Sequence, residues 1–194
     1  MEQGQVKRII EALLFVAEKP LTIAQIKEVL EEEDSQVIKG QIEKLRNDYK
    51  DTGRSFNITE VAGGYRITTD PEYAPWLKKL YRRSRAERLS RPSLETLAIV
   101  AYRQPVTRQE VEDIRGVNVE GVLKTLLDRA LVRYCGRKPV AGRPFLYGTT
   151  RQFLEFFGLQ SLDDLPKLED FEQLTKRGEE DEEIKETASE NRPD

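Results

Sequence analysis

The chain has no histidine and only one cysteine (Cys135), one methionine and one tryptophan among its 194 residues. Without histidine it lacks both the commonest general base and the commonest metal ligand. One cysteine closes neither an internal disulfide nor a thiolate zinc site. Apolar runs stay well short of the roughly 18 residues that a membrane-spanning helix needs. No charged segment followed by an apolar stretch and a cleavage site opens the chain. These absences predict a reduced, cytoplasmic protein with no metal, no cofactor, no membrane partner and no catalytic set. The glycines at 136 and 142 do not rescue an enzyme reading, because Arg143-Pro144 follows where a phosphate loop needs lysine and a hydroxyl residue. The carboxylate pairs Glu112-Asp113 and Asp163-Asp164 lie in polar stretches and read as surface charges.

Charge is plentiful but unevenly distributed. The 32 Lys+Arg and 35 Asp+Glu give a net charge of −3, which conceals a strongly basic middle. Residues 82–152 carry 15 basic and 7 acidic side chains, whereas 178–194 carry 2 and 8. The segment opening Gly178-Glu179-Glu180-Asp181 has almost nothing apolar to bury, so the stretch from 167 onward is expected to be an acidic disordered tail.

An internal repeat organises the rest. Pro20-Leu21-Thr22 recurs as Pro105-Val106-Thr107, an offset of 85 residues. At that offset Ile9 falls on Leu94, Leu14 on Ile99, Ile26 on Val111, Val29 on Ile114, Val37 on Val122, Ile38 on Leu123 and Ile42 on Leu127. In the first copy, Val6, Ile9, Ile10, Leu13, Leu14 and Ala17 follow helical spacing. Thr22 with Gln25 forms a capping box that opens a second helix, and Thr107 with Glu110 repeats it. A third helix carries Val37, Ile38, Ile42 and Leu45. Two strand-like runs, Phe56–Val61 and Tyr65–Thr69, follow around a turn expected at Gly63-Gly64.

Three helices and a β-hairpin form the order of a winged helix-turn-helix. The expected fold is mainly α with small β-hairpins (α+β): two tandem winged helices, over 1–81 and 82–166, and the tail over 167–194. The second copy's helices are expected near 91–103, 107–115 and 118–130. Its wing is expected over Leu131–Gly136 and Pro144–Gly148, around the basic loop Arg137 to Arg143. A helical stretch with Tyr73, Trp76, Leu77 and Leu80 leads into an Arg-rich linker (Arg82, Arg83, Arg85, Arg88, Arg91). A last helix near 150–158 is expected to pack Phe153, Phe156 and Phe157 against the second domain.

A winged helix makes a DNA-binding transcriptional regulator the first hypothesis, but the third helices argue against base reading. Glu31-Glu32-Glu33-Asp34 precede the first, and Asn118, Glu120, Lys124 and Asp128 are the expected outward positions of the second. That set is not the Arg, Asn and Gln mixture that reads base edges. Weak, nonspecific backbone contact through the basic linker and wing stays open. The first helix of each copy is apolar nearly all round, as Ile9 to Ala17 shows, which suggests a protein interface in each half, one of them self-association. Ile10, Leu14 and Phe15 are the candidates for dimerisation.

The motif Arg88-Leu89-Ser90-Arg91, the run Leu94 to Arg108, Ile114-Arg115-Gly116-Val117, Gly142-Arg143-Pro144-Phe145-Leu146-Tyr147-Gly148 and Phe153 to Leu159 resemble the segregation and condensation protein B family. Ala12 to Ala17 and Gly63-Gly64-Tyr65-Arg66 fit the same family, and the resemblance runs from about residue 5 to 166. It implies a non-enzymatic, homodimeric subunit of the Smc condensin-like complex that binds the kleisin ScpA, and Smc through it. Such a subunit acts in chromosome condensation and partition and is cytoplasmic and nucleoid-associated. For partner contact the candidates are Tyr102, Arg103, Arg137, Arg143 and Tyr147.

Overall fold

The computed structural model describes residues 2–80 and 89–167. Arg82, Arg83, Arg85 and Arg88, the 81/82 boundary and the tail from 168 onward lie outside the described residues.

The first copy runs α1 (Gln3–Val16), α2 (Ile23–Leu30), α3 (Ser35–Asp51), β1 (Phe56–Val61) and β2 (Gly64–Thr69). A 3-10 turn (Pro71–Tyr73) and α4 (Ala74–Leu80) follow. The second copy repeats the order with α5 (Arg91–Arg103), β3 (Val106–Thr107), α6 (Arg108–Arg115), α7 (Glu120–Asp128), β4 (Val132–Arg137) and β5 (Phe145–Thr149), and α8 (Arg151–Phe157) closes it. The fold is thus mixed, helical with small antiparallel sheets.

The repeat holds to the residue where helix starts are set by local chemistry. α6 begins 85 residues after α2, and α7 begins 85 after α3. Both capping boxes are present. Gln25 N–H donates to Thr22 Oγ1 (3.3 Å) and Thr22 N–H to Gln25 Oε1 (3.0 Å). Glu110 N–H donates to Thr107 Oγ1 (3.3 Å) and Thr107 N–H to Glu110 Oε2 (2.8 Å). Each satisfies two amides that the helix start would otherwise leave orphaned.

Each copy has its own core. The first gathers Val6, Ile10, Leu14, Ile26, Ile38 and Ile42 with Tyr49, Ile58 and Tyr65. Tyr49 O–H donates to Glu11 Oε1 at 2.8 Å, and burial together with that carboxylate pushes its phenol pKa up. In the second copy Leu97, Val100, Val111, Leu123, Leu126 and Leu131 are buried. Arg115 ties α6 to α5 there, donating to Thr96 Oγ1 (2.7 Å) and pairing with Glu95 (2.8 Å).

Three features differ from the sequence reading. The first hairpin turns at Ala62-Gly63, not Gly63-Gly64, because Val61 pairs with Gly64. Ala62 and Gly63 have φ of 52° and 68°, the positive pair that a two-residue primed turn requires. Gly64 serves a different need, since a Cβ there would meet Leu21 C and O at 2.9 Å. The second difference is a third strand in the second sheet, whose order is β3-β5-β4. Val106 pairs with Tyr147, and in the first copy Leu21 makes the corresponding bridge to Tyr65. The Pro-apolar-Thr signature is therefore a strand-pairing unit as well as a helix start. Third, of the α8 aromatics only Phe153 is buried, while Phe156 and Phe157 are exposed and meet edge to face with ring centroids 5.1 Å apart.

α8 also touches the first copy at two points. Arg151 Nη2 donates to Pro20 O (2.8 Å), and Ala62 N–H donates to Leu159 O (2.8 Å), just past the helix. An open cleft of about 680 Å³ lies beside the first contact, lined by Ala17, Pro20, Gln25, Ala130, Gln152 and Glu155 among others.

Candidate partner-binding surfaces

On α1 the helical repeat separates two apolar faces. Val6, Ile10 and Leu14, four residues apart, point into the first core and are almost wholly buried. Ile10 and Leu14 therefore offer no surface to a second chain, and their candidacy for dimerisation is corrected to core packing. Phe15 is 82% exposed and Val16 75%. With exposed Ala12 they form an outward stripe at i, i+3 and i+4, flanked by half-buried Ile9 and Leu13. From Ile9 to Val16 the helix is apolar nearly all round, yet only one side fills the protomer while the other meets solvent. Exposing a phenylalanine and a valine side by side leaves apolar area whose burial is worth about 25 cal/mol per Å².

In the second copy the five candidates divide between two places. Arg137, Tyr147 and Arg143 belong to the wing, on β4, on β5 and in the loop between them; Tyr102 and Arg103 occupy the last turn of α5. Gln104 ties that turn to the wing. Its Oε1 accepts from Thr149 N–H (2.7 Å) and Thr149 Oγ1 (3.1 Å), and its Nε2 donates to Ala101 O (3.1 Å). Tyr147 is only 9% exposed and occupies the strand position that buried Tyr65 holds in the first copy. Burial raises the pKa of its phenol, and its ring is first of all a core element.

The sequence reading missed the residues that make this wing a surface. Tyr134 lies directly opposite Tyr147 in the ladder, with ring centroids 5.3 Å apart, and Phe145 stacks on Tyr134 at 4.6 Å. The Arg137 guanidinium caps the row, 3.9 Å over the Phe145 ring, a cation–π contact. Tyr134 and Phe145 are both exposed. A groove of about 480 Å³ runs between this row and α7, with Leu123, Leu127, Tyr134 and Tyr147 as its apolar lining. Its rim is charged: Arg108 pairs with Glu120 at 3.0 Å, and Lys124 and Asp128 are exposed. The alternation of Phe145 with Tyr147 was visible in the sequence. Its partner Tyr134 needed the β4–β5 register, which a bulge between Tyr134 and Gly136 shifts.

The outward face of α7 is as expected, with Asn118, Glu120, Lys124 and Asp128 all exposed. Two of the four are acids, an arrangement that phosphates oppose. Among the described residues no group of three His, Cys, Asp or Glu side chains gathers as for a metal ion, and no helix is long and apolar enough to cross a membrane.

Glu110 links the capping box to the wing. Lys138 Nζ donates to its carboxylate at 2.7 Å, and the Thr107 amide and hydroxyl donate at 2.8 Å each. The ammonium first, and then the Thr107 donors, hold its pKa down at about 2 against an ordinary 4.5. A carboxyl depressed in the folded state adds stability above its unfolded pKa and loses it as pH falls through the folded one. Urea midpoints followed from pH 5 to pH 2 are expected to fall, and Glu110→Gln, which mimics Gln25 of the first copy, is expected to flatten part of that fall. An equally steep fall in the variant would refute this role.

A model of the family described as segregation and condensation complex subunit ScpB matches residues 8–168 of the chain. The segregation and condensation protein B of Syntrophotalea carbinolica is 49% identical over 179 residues, 92% of this chain and 90% of that protein. Its counterpart in Symbiobacterium thermophilum is 47% identical over 165 residues, 84% of this chain and 74% of that protein. Among solved structures, a dimer of an ScpB N-terminal domain complexed with an ScpA peptide is 36% identical; the match covers 41% of this chain and 99% of that one, with a TM-score of 0.38. The repeat, the paired sheets and the match over residues 8–168 agree, and the chain belongs to the ScpB family of segregation and condensation complex subunits.

Proposed function

We propose that the chain is a non-catalytic adaptor in a condensin-like Smc complex. It works as a homodimer that binds the kleisin ScpA, and reaches Smc through it, in chromosome condensation and partition. Membership of a family of complex subunits supports this reading, and the solvent-facing Ala12, Phe15 and Val16 stripe is the observation that carries it. An unpaired apolar stripe on a helix whose other face is already full suits a second copy of the same helix, meeting it across a two-fold axis. In this reading residues 1–81 dimerise and 82–166 receive the kleisin. The contact surface of the second part is the wing row of Tyr134, Phe145 and Arg137 with Arg143, and Tyr102 and Arg103 stand at its edge. The chain acts in the cytoplasm, associated with the nucleoid.

Native mass from size-exclusion with light scattering tests it. The parent chain is expected to run as a dimer and to form a discrete larger complex with its kleisin. Phe15→Glu, which buries no new charge in the protomer, is expected to run as a folded monomer at micromolar concentration. A parent chain that stays monomeric and ignores the kleisin would overturn the reading.

A further inference from the structure

The two wings differ at their tips. The first turns in two residues, Ala62-Gly63, without a cation, and Ala62 N–H is taken up by Leu159 O. The second carries the ordered loop between Arg137 and Phe145, held by Lys138 N–H to Pro144 O (2.9 Å) and Arg143 N–H to Val140 O (2.9 Å). Of its three cations, Lys138 is neutralised by Glu110. Among the described residues Arg137 and Arg143 have no carboxylate partner, and Arg137 Nη1 instead donates to Arg143 O at 3.0 Å, which brings the two residues together. Both are exposed.

Arg143 sits at φ +40°, directly after Gly142 at φ +79°. Glycine adopts that left-handed backbone freely, whereas a residue with a side chain is strained there. An exposed arginine side chain at such a position, with no carboxylate partner among the described residues, has no evident use in the fold. Strain of this kind points toward function.

We propose that the tip of the second wing, through Arg137 and Arg143, contacts the backbone of duplex DNA without reading sequence. Two guanidiniums on the end of a narrow β-ribbon suit adjacent phosphates, or a minor groove about 6 Å wide. The outward positions Asn118, Glu120, Lys124 and Asp128 carry no net positive charge, so the phosphate contact is placed on the wing. This goes beyond the adaptor reading, which places the same two arginines on the kleisin surface, and concerns the chain in the absence of kleisin.

The test is fluorescence anisotropy of the full chain with a labelled duplex of arbitrary sequence, across about 50 to 200 mM salt. Weak binding that is indifferent to sequence is expected, with a log–log salt slope that becomes shallower by about one for each arginine removed. The variants are Arg137→Gln, Arg143→Gly and the double. Arg143→Gly removes the charge and the backbone strain together, so its melting temperature is expected to hold or rise while binding weakens. Arg8→Gln, which removes an exposed charge from the first copy, is expected to leave the slope unchanged. Absence of binding at the lowest salt would overturn the proposal. So would a slope that the double variant does not change.

Discussion

Replacing Gly64 by valine is expected to unfold the first copy, or to lower its stability by about 3 kcal/mol or more. A Cβ at 64 would lie 2.9 Å from Leu21 C and O and 3.1 Å from Pro20 C, all backbone atoms that cannot swing aside. Relief would require the Pro20-Leu21 segment to leave β2, at the cost of Leu21 N–H to Tyr65 O (2.9 Å) and Tyr65 N–H to Leu21 O (2.8 Å). The damage would then spread, because Tyr65 is part of the core and Pro20 O is where Arg151 docks. Gly63 is the informative control. Nothing lies within 4 Å of a Cβ there, but φ is +68°, so Gly63→Ala pays only backbone strain, about 1 kcal/mol. Thermal melts by circular dichroism separate the two. A Gly64→Val melt no lower than that of Gly63→Ala would show that the close approach is not what requires glycine at 64.

That adjacent pair also shows how far the sequence could be read. Gly63-Gly64 signalled a hairpin, but one glycine supplies a positive φ and the other supplies room, and a dipeptide does not say which is which. Helix starts were readable to within a residue or two because Thr22 with Gln25 and Thr107 with Glu110 act over three residues. The strand β3 was not, since two residues carry no periodicity and Tyr147, the partner of Val106, is 41 positions away. On α1 the composition that suggested an interface also hid its side: with apolar residues all round, only packing distinguishes Ile10, in the core, from Phe15, in solvent. On the wing, Arg137, Arg143 and Tyr147 are singled out as candidates by residue type. Tyr134 and Phe145 emerged only once the strand register was known, because their significance lies in stacking across strands.

Ile38→Ala and Leu123→Ala probe the repeat where it is closest. The two residues are 85 apart, stand at the same turn of α3 and α7, and are 0% and 2% exposed. Each truncation leaves a cavity in a well-filled core and is expected to cost about 2–5 kcal/mol. The first core draws only on residues of the first copy, from Val6 to Tyr65, with Ile67 packed against it. A void at Ile38 therefore has no wall in common with one at Leu123, and the two losses are expected to add to within about 0.5 kcal/mol in the double variant. Urea denaturation of the four chains measures this, each truncation lowering the midpoint of its own copy. A single transition whose midpoint falls with either truncation would mean that the copies unfold as one body. The two contacts made through α8, from Arg151 to Pro20 and from Ala62 to Leu159, would then carry far more than two hydrogen bonds ordinarily contribute. Two separate transitions, each lowered only by its own truncation, would instead assign those contacts to orienting the copies, leaving each copy to be held together by its own core.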